Sequence, residues 1–264
     1  MLVRPQLSDL EYDSLIRRLS NLAGVDLRKY KRDQLRRRLL NEMTRRQITT
    51  AAELLALFSR TENSAASLVS SLTINVTEAN RDPARFRELY ERAIKPLANL
   101  GHSLKVWSAG CSYGAEPVTL ALYLAQTAPL ERFSILATDI DPMILEQACL
   151  LRFVQRDLKN LPPEWVEEWF QPDDKGWHLA DKLGRTLRFR KHDLISDDYP
   201  ARLDLIVFRN VAIYFEQEAT REVHCKMASS LKPGGFLFLG ATERVISPEN
   251  YGLSAVAPFL YQKA

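Results

Sequence analysis

Val106-Trp-Ser-Ala-Gly110-Cys-Ser-Tyr-Gly114-Ala-Glu116-Pro117 is the stretch that decides the fold. An apolar strand breaks at Gly110 and Gly114, and a helix opens at Glu116-Pro117, so backbone can approach a ligand beside a helix amino terminus. One strand-helix unit later comes Phe133-Ser-Ile-Leu-Ala-Thr-Asp139-Ile-Asp141-Pro, an apolar run ending in acid, where a doubly wound sheet grips a ribose. In this order the two stretches read as a nucleoside-cofactor site. A purely structural tight turn is the bland alternative.

From residue 101 onward the pattern alternates strand and helix. Strands are expected at 104–109, 133–138, 186–191, 203–208 and 235–239, and helices at 117–126, 143–150 and 217–231. Such alternation implies a mostly parallel sheet covered on both faces, with the ligand beyond the strands' carboxyl ends. The alternation is interrupted from 151 to about 185, where turn signals at Asp173-Asp-Lys-Gly176 suggest a small antiparallel appendage. Residues 251–262 read as one final antiparallel strand.

Before residue 73 the periodicity is helical. Ser8-Asp-Leu-Glu11 forms a capping-box pattern, Leu15, Leu19 and Leu22 make a stripe, and Leu35, Leu39 and Met43 recur every four residues. A further helix opens at Thr49-Thr50-Ala-Ala-Glu53. The expected organisation is α/β: a small helical domain over 1–72, a linker and helix over 73–101, then a doubly wound Rossmann-like domain over 102–264. A small β-subdomain is inserted at about 151–190.

Composition sets the outer limits. The chain has 264 residues, 46% of them hydrophobic, enough for a sizeable core. No apolar run approaches a membrane span, and Met1-Leu-Val-Arg-Pro-Gln is too polar for a signal peptide, so the expected location is the cytoplasm without membrane insertion. Cys111, Cys149 and Cys225 show no metal-ligand spacing and are expected to be small buried residues. His102, His178, His192 and His224 form no catalytic pair and are expected to be surface or locally bonded. No metal is expected.

The formal net charge is +3, yet residues 28–46 hold nine Lys or Arg against Asp33 and Glu42, a local net of +7 that leaves −4 elsewhere. The arginines between the apolar positions are expected to project outward. Such a patch suits an acidic partner, although a charge run is usually just a solvated face. The patch is one short face, and no Asn/Asp-Pro-Pro-Tyr amine-methylation signature is present, so nucleic acid is not expected as a partner.

The chemistry of the loop narrows the ligand. No GxxxxGK[ST] is present, and the dinucleotide fingerprint is incomplete. A carboxylate at Glu116 would repel pyrophosphate but attract an ammonium. S-adenosylmethionine carries an ammonium, a sulfonium and a ribose and no phosphate, which favours it over a nicotinamide.

Six runs then resemble one family in its order. They are Asn75-Val-Thr77 with Arg81-Asp-Pro, the stretch 106–117, Ala137-Thr-Asp-Ile-Asp141, Leu161-Pro-Pro-Glu, Phe208-Arg-Asn-Val-x-Ile-Tyr-Phe215 and Leu231-Lys-Pro-Gly-Gly. Together they resemble the CheR family, the chemotaxis receptor glutamate methyltransferases, over nearly the whole chain. The resemblance implies methyl transfer from S-adenosylmethionine, leaving S-adenosylhomocysteine, to glutamates on the cytoplasmic helical domain of a chemoreceptor. A monomer is expected.

By the same likeness Asn75, Thr77 and Arg81 line the methionine end of the cofactor, Ala109 the glycine-loop wall, and Asp139 the ribose; Glu116, on the charge argument above, is the cofactor-binding acid expected to face the ammonium. Asp193 and Leu194 would meet the adenine, and Phe208, Arg209 and Asn210 the far side. Arg81 and Tyr214 would be catalytic, nearest the transferred methyl. Arg28, Lys29, Arg32, Arg36, Arg37 and Arg38 would bind the receptor. From the residues alone, Arg81 could instead pair with Asp82, Tyr214 could be a core aromatic, and Asp139 could cap a helix, a role Asp141 fills better by position.

The chain departs from the family at two points. Ala115 stands where a glutamate is usual, and Ala79-Asn80 where two aromatics are usual. These departures are what a cofactor-binding regulatory module with weak or no turnover would carry, the alternative to an enzyme.

Overall fold

The structure is a computed structural model that describes residues 5–59 and 64–264. The expectation about a signal peptide falls partly on residues 1–4, outside the described residues. The chain begins with helices α1 (Asp9–Ala23), α2 (Arg32–Arg45), α3 (Ala51–Phe58) and α4 (Ser64–Leu72). The expected capping box forms at Ser8 with Glu11, and a second one, Thr50 with Glu53, opens α3; both satisfy amides the first turns leave open. Leu19, Leu39, Met43, Leu54 and Leu68 are fully buried at the centre of this bundle, each worth about 1.5–3 kcal/mol.

An irregular stretch then leads into α5 (Pro83–Leu89), which continues through a wider turn, Tyr90–Ile94, into α6 (Lys95–Asn99). The remaining elements are β1 (Leu104–Ala109), α7 (Ala115–Ala125), β2 (Phe133–Asp139), α8 (Pro142–Cys149), β3 (Arg152–Phe153), α9 (Pro163–Trp169), β4 (Phe170–Asp173) and β5 (Gly176–Leu179). After them come α10 (Asp181–Gly184), β6 (Leu187–Lys191), β7 (Leu203–Phe208), α11 (Gln217–Ser230), β8 (Leu231–Leu239), β9 (Leu253–Ala257) and β10 (Leu260–Lys263).

The large sheet runs β6-β2-β1-β7-β8-β10-β9, parallel from β6 to β8 and antiparallel at the last two strands. Residues 251–262 therefore contribute a two-strand hairpin rather than one strand. One core lies under α5, α6 and α7 and includes residues of the insertion; another lies under α11 on the opposite face. From β1 the chain steps first to β2 on one side and later to β7 on the other, which opens a crevice at the carboxyl ends of β1 and β7.

The insertion folds as a three-stranded antiparallel sheet, β3-β5-β4. Its last strand ends at Leu179, whereas β6, counted in the expected 151–190 insertion, pairs with β2 in the large sheet. The expected burial of the cysteines holds only for Cys111; Cys149 and Cys225 are exposed, because both sit on outward faces of helices or their ends.

The helical bundle is fastened to the α/β part by backbone. Lys31 N–H donates to Tyr214 O at 2.9 Å, Glu216 N–H donates to Lys29 O at 2.8 Å, and the Tyr30 and Phe215 rings meet edge-on at 5.1 Å. This seam brings α2 over the crevice.

Candidate functional site

Between the crevice and the bundle lies a cavity of about 240 Å³. Its floor is the loop after β1. Gly110 has φ 86°, and a Cβ there would stand 2.3 Å from Val211 Cγ2, so glycine is required twice over. Gly110 and Cys111 N–H groups both donate to Thr138 O, which fixes the loop against β2.

Asp139 ends β2 and faces the loop. Its carboxylate accepts from Ser112 N–H at 2.8 Å and from Asp141 N–H at 3.1 Å, with acceptor capacity left for a ligand. Burial raises its carboxyl above the usual range while the amides of Asp141 and Ser112 pull it back. Capping of α8 falls to Asp141, which accepts from Met143 and Ile144 N–H.

Glu116 lines the cavity from the first turn of α7. It accepts from the Ser108 hydroxyl at 2.7 Å and lies 3.8 Å from Arg209. Burial raises its carboxyl; Arg209 and Ser108 oppose the rise. Arg209 is almost fully buried between the rings of Phe86 and Phe238, and its guanidinium reaches Asp82 at 2.7 Å. Ala115, one of the two departures, is the first residue of α7; it is fully buried in the core and does not line the cavity.

The opposite wall is the irregular stretch before α5. Asn75 donates to Asp141 at 2.8 Å and to Thr73 Oγ1 at 3.2 Å, and Thr77 accepts the Tyr113 hydroxyl at its carbonyl. Arg81 lines the cavity and donates to Val76 O at 3.4 Å; it makes no ion pair with Asp82, which pairs with Arg209 instead. Tyr214 closes the side nearest the bundle.

The lining thus gathers Asn75, Thr77, Arg81, Glu116, Asp139, Leu194, Arg209, Asn210 and Tyr214. Ala109, Asp193 and Phe208 stand behind it. Asp193 is spent on its own turn, accepting from Ile195 N–H and the Ser196 hydroxyl, and Phe208 is packed in the core against His224.

The basic helix needs correction. Arg32 and Arg36 do not project freely: they pair with Asp9 and, for Arg32, Asp13 of α1, and both lie over the Tyr12 ring. Lys29 pairs with Glu222 and Arg28 with Asp26. Arg45 and Arg46 both bind the buried Glu42. Arg38 turns inward, lines the cavity and lies 4.7 Å over the Tyr214 ring. Lys31 and Arg37 are exposed with no ion pair among the described residues.

Sequence reasoning missed several residues. Glu243 is buried and accepts from Asn210, Val211 and Gly240 N–H at 2.7–3.0 Å, holding the turn after β7. Its burial raises its carboxyl against those amides. Of the histidines expected to be surface or locally bonded, His192 is buried but bonded locally to Asp198 O at 3.2 Å, whereas His224 is buried with Nε2 unpaired among the described residues. No local pattern announces Glu243, because Asn210 and Val211 lie more than thirty residues away, and none announces the burial of the two histidines, which tertiary packing decides.

Three lining residues carry a buried side-chain atom with no partner among the described residues, Ser112 Oγ, His192 Nδ1 and Arg209 Nε. Unpaired buried polar atoms are costly, so this cavity suits a ligand with several hydrogen-bonding groups. Two buried carboxylates beside them suit one without phosphate.

The sequence matches the all-alpha domain of CheR methyltransferases over 10–73 and their SAM binding domain over 75–256. The chain belongs to the CheR methyltransferase family. It is 34% identical over 259 residues to a chemotaxis protein methyltransferase of Listeria monocytogenes, covering 97% of this chain and 98% of that protein. The chemotaxis protein methyltransferase of Escherichia coli K12 is 31% identical over 254 residues, 92% of this chain and 87% of that one. This CheR methyltransferase is thus an enzyme that uses S-adenosylmethionine. The weakened regulatory module is not the favoured reading. Among the described residues no helix is long and apolar enough to cross a membrane.

Proposed function

We propose that this CheR methyltransferase esterifies glutamate side chains on the cytoplasmic helical domain of a chemoreceptor. The observation that carries the reading is the cavity itself: Arg81, Glu116, Asp139 and Tyr214 converge on one space beside a helix that exposes Arg37 and, just before its first turn, Lys31. Bound S-adenosylmethionine supplies a methyl group on a sulfonium, a good leaving group.

The residues then divide the work. Asp139 offers its remaining acceptor sites to the ribose hydroxyls, Glu116 faces the ammonium, and Asn75 and Thr77 border the methionine end. Ser112 Oγ and His192 Nδ1 gain partners on cofactor binding. Arg81 holds the incoming carboxylate, and the Tyr214 hydroxyl donates one orienting hydrogen bond. A glutamate carboxylate is ionised at neutral pH, so no base is needed and the site's contribution is alignment. Lys31 and Arg37 steer an acidic receptor helix, each exposed contact worth only about 0.2–1 kcal/mol.

Incubation with tritiated S-adenosylmethionine and chemoreceptor-bearing membranes tests this. The expected product is a receptor-linked methyl group released by alkali as methanol, the signature of a carboxyl ester. A folded protein that binds S-adenosylhomocysteine yet yields no alkali-labile label would sink the reading.

A further inference from the structure

Arg81 stands between two residues with left-handed backbones, Asn80 at φ 53° and Asp82 at φ 63°. Residues other than glycine keep that conformation only where the surroundings over-determine it. On one side the determinant is the ion pair of Asp82 with Arg209. On the other it is Asn80, which is 3% exposed. Asn80 N–H donates to Thr119 Oγ1 of α7 at 2.7 Å, its Nδ2 donates to Asn160 O at 2.7 Å, and its Oδ1 accepts from the Tyr123 hydroxyl at 3.3 Å.

Asn160 belongs to the insertion, and its neighbours repeat the tie. Ala79 N–H donates to Asp157 O at 2.9 Å, and Lys159 pairs with Glu78 at 2.8 Å. The Tyr113 hydroxyl bridges Thr77 O and the Asp157 carboxylate. Four successive residues, 77–80, are therefore bound to the turn at 157–160 immediately before Arg81. The buried pairs in this set are the expensive ones to break, because each leaves a polar group without water.

We propose that the insertion is part of the catalytic apparatus: its turn at 157–160, acting through Asn80, sets where Arg81 stands at the cavity mouth. Asn80 is then a positioning residue. The inference rests on the proposed role of Arg81 in holding the acceptor carboxylate. An arginine on a flexible stem aligns an oxygen only if its backbone is fixed, and a displacement of about 1 Å costs rate on the order of 10²-fold. Cofactor groups on the loop wall are untouched by such a displacement, so the loss falls on turnover and not on cofactor affinity.

The test uses the full chain, tritiated S-adenosylmethionine and chemoreceptor-bearing membranes, with S-adenosylhomocysteine affinity by calorimetry and thermal melting alongside. Asn80→Gly keeps the left-handed backbone accessible and deletes the side-chain bonds. Thr119→Val removes the acceptor of Asn80 N–H from α7 and decides alone if Asn80→Gly does not fold. Both should lower kcat about tenfold or more, with receptor KM within threefold and S-adenosylhomocysteine affinity within twofold of the parent. Parent-like kcat, or a fall that merely tracks lost affinity or lost melting temperature, overturns the proposal. Arg81→Lys runs in parallel: if it turns over like the parent, the role of Arg81 itself fails, whereas an inactive Arg81→Lys beside a parent-like Asn80→Gly removes only the positioning role.

Discussion

The two walls of the cavity are built by opposite means. The loop at 110–116 is shaped by its own backbone, with Gly110 at φ 86° pressed against Val211 and Gly114 at φ 94° opening α7. The stretch at 73–82 has no regular structure; it is held by Asp141, Asp157, Asn160, Thr119 and Arg209, all remote in sequence. A wall fixed by local sterics tolerates no change at its glycine, whereas one fixed by remote partners shifts its course when one of those partners is lost. The first wall should therefore govern chiefly cofactor binding, and the second, which borders only the methionine end through Asn75 and Thr77, chiefly the alignment of the acceptor.

The hardest blow to this contrast is Gly110→Ala. Left-handed strain and the collision with Val211 together cost roughly 3 kcal/mol or more, so S-adenosylhomocysteine binding should vanish in calorimetry. Undiminished affinity would mean that the loop wall is not fixed by its backbone.

His224 probes the sheet beneath both walls. Burial lowers its pKa from 6.5 to about 4, so the folded chain keeps it neutral while the unfolded chain takes up a proton. Stability from this group is full above pH 6.5 and declines as pH falls toward 4, by about 2 kcal/mol at pH 5. Glu116, Asp139 and Glu243, raised by burial, act with the opposite sign, so only the difference from a variant isolates the histidine. Thermal melting of His224→Gln should lose less on going from pH 7.5 to 5 than the parent; equal losses would remove the assignment.

Glu116→Gln keeps the shape of the loop wall and deletes one charge. S-adenosylhomocysteine affinity should fall roughly tenfold, while receptor KM stays near the parent value. A change in receptor KM alone would transfer Glu116 to the acceptor's side. Smallest is Arg37→Ala on the basic helix: receptor KM should rise two- to fivefold, by less at high salt, with cofactor affinity unchanged. A salt-independent effect would exclude steering by charge.

How much of this was legible in advance follows the same division. The strand–loop–helix at 106–117, the acid ending β2 and the boxes at Ser8 and Thr50 are local patterns whose partners lie within a few residues. Asn80 read as a departure because its meaning lies in Asn160 and Tyr123, 80 and 43 residues away. Glu243 carried no signal for the same reason. The count of basic residues over 28–46 was correct, but Asp9, Asp13, Glu42 and Glu222 answer many of them. Arg38, counted with the outer face, points into the cavity.

By itself the sequence determined the order of elements, the doubly wound sheet and the kind of ligand its loop admits, because strand and helix periodicity, glycine conformation and the sign of a carboxylate act over short range. Tertiary structure decided which charges remain free, which histidines are buried and where the guanidinium of Arg81 is anchored. Those depend on the bundle, the insertion and the sheet meeting in space, and burial raises the cost of every unmet polar group at that seam.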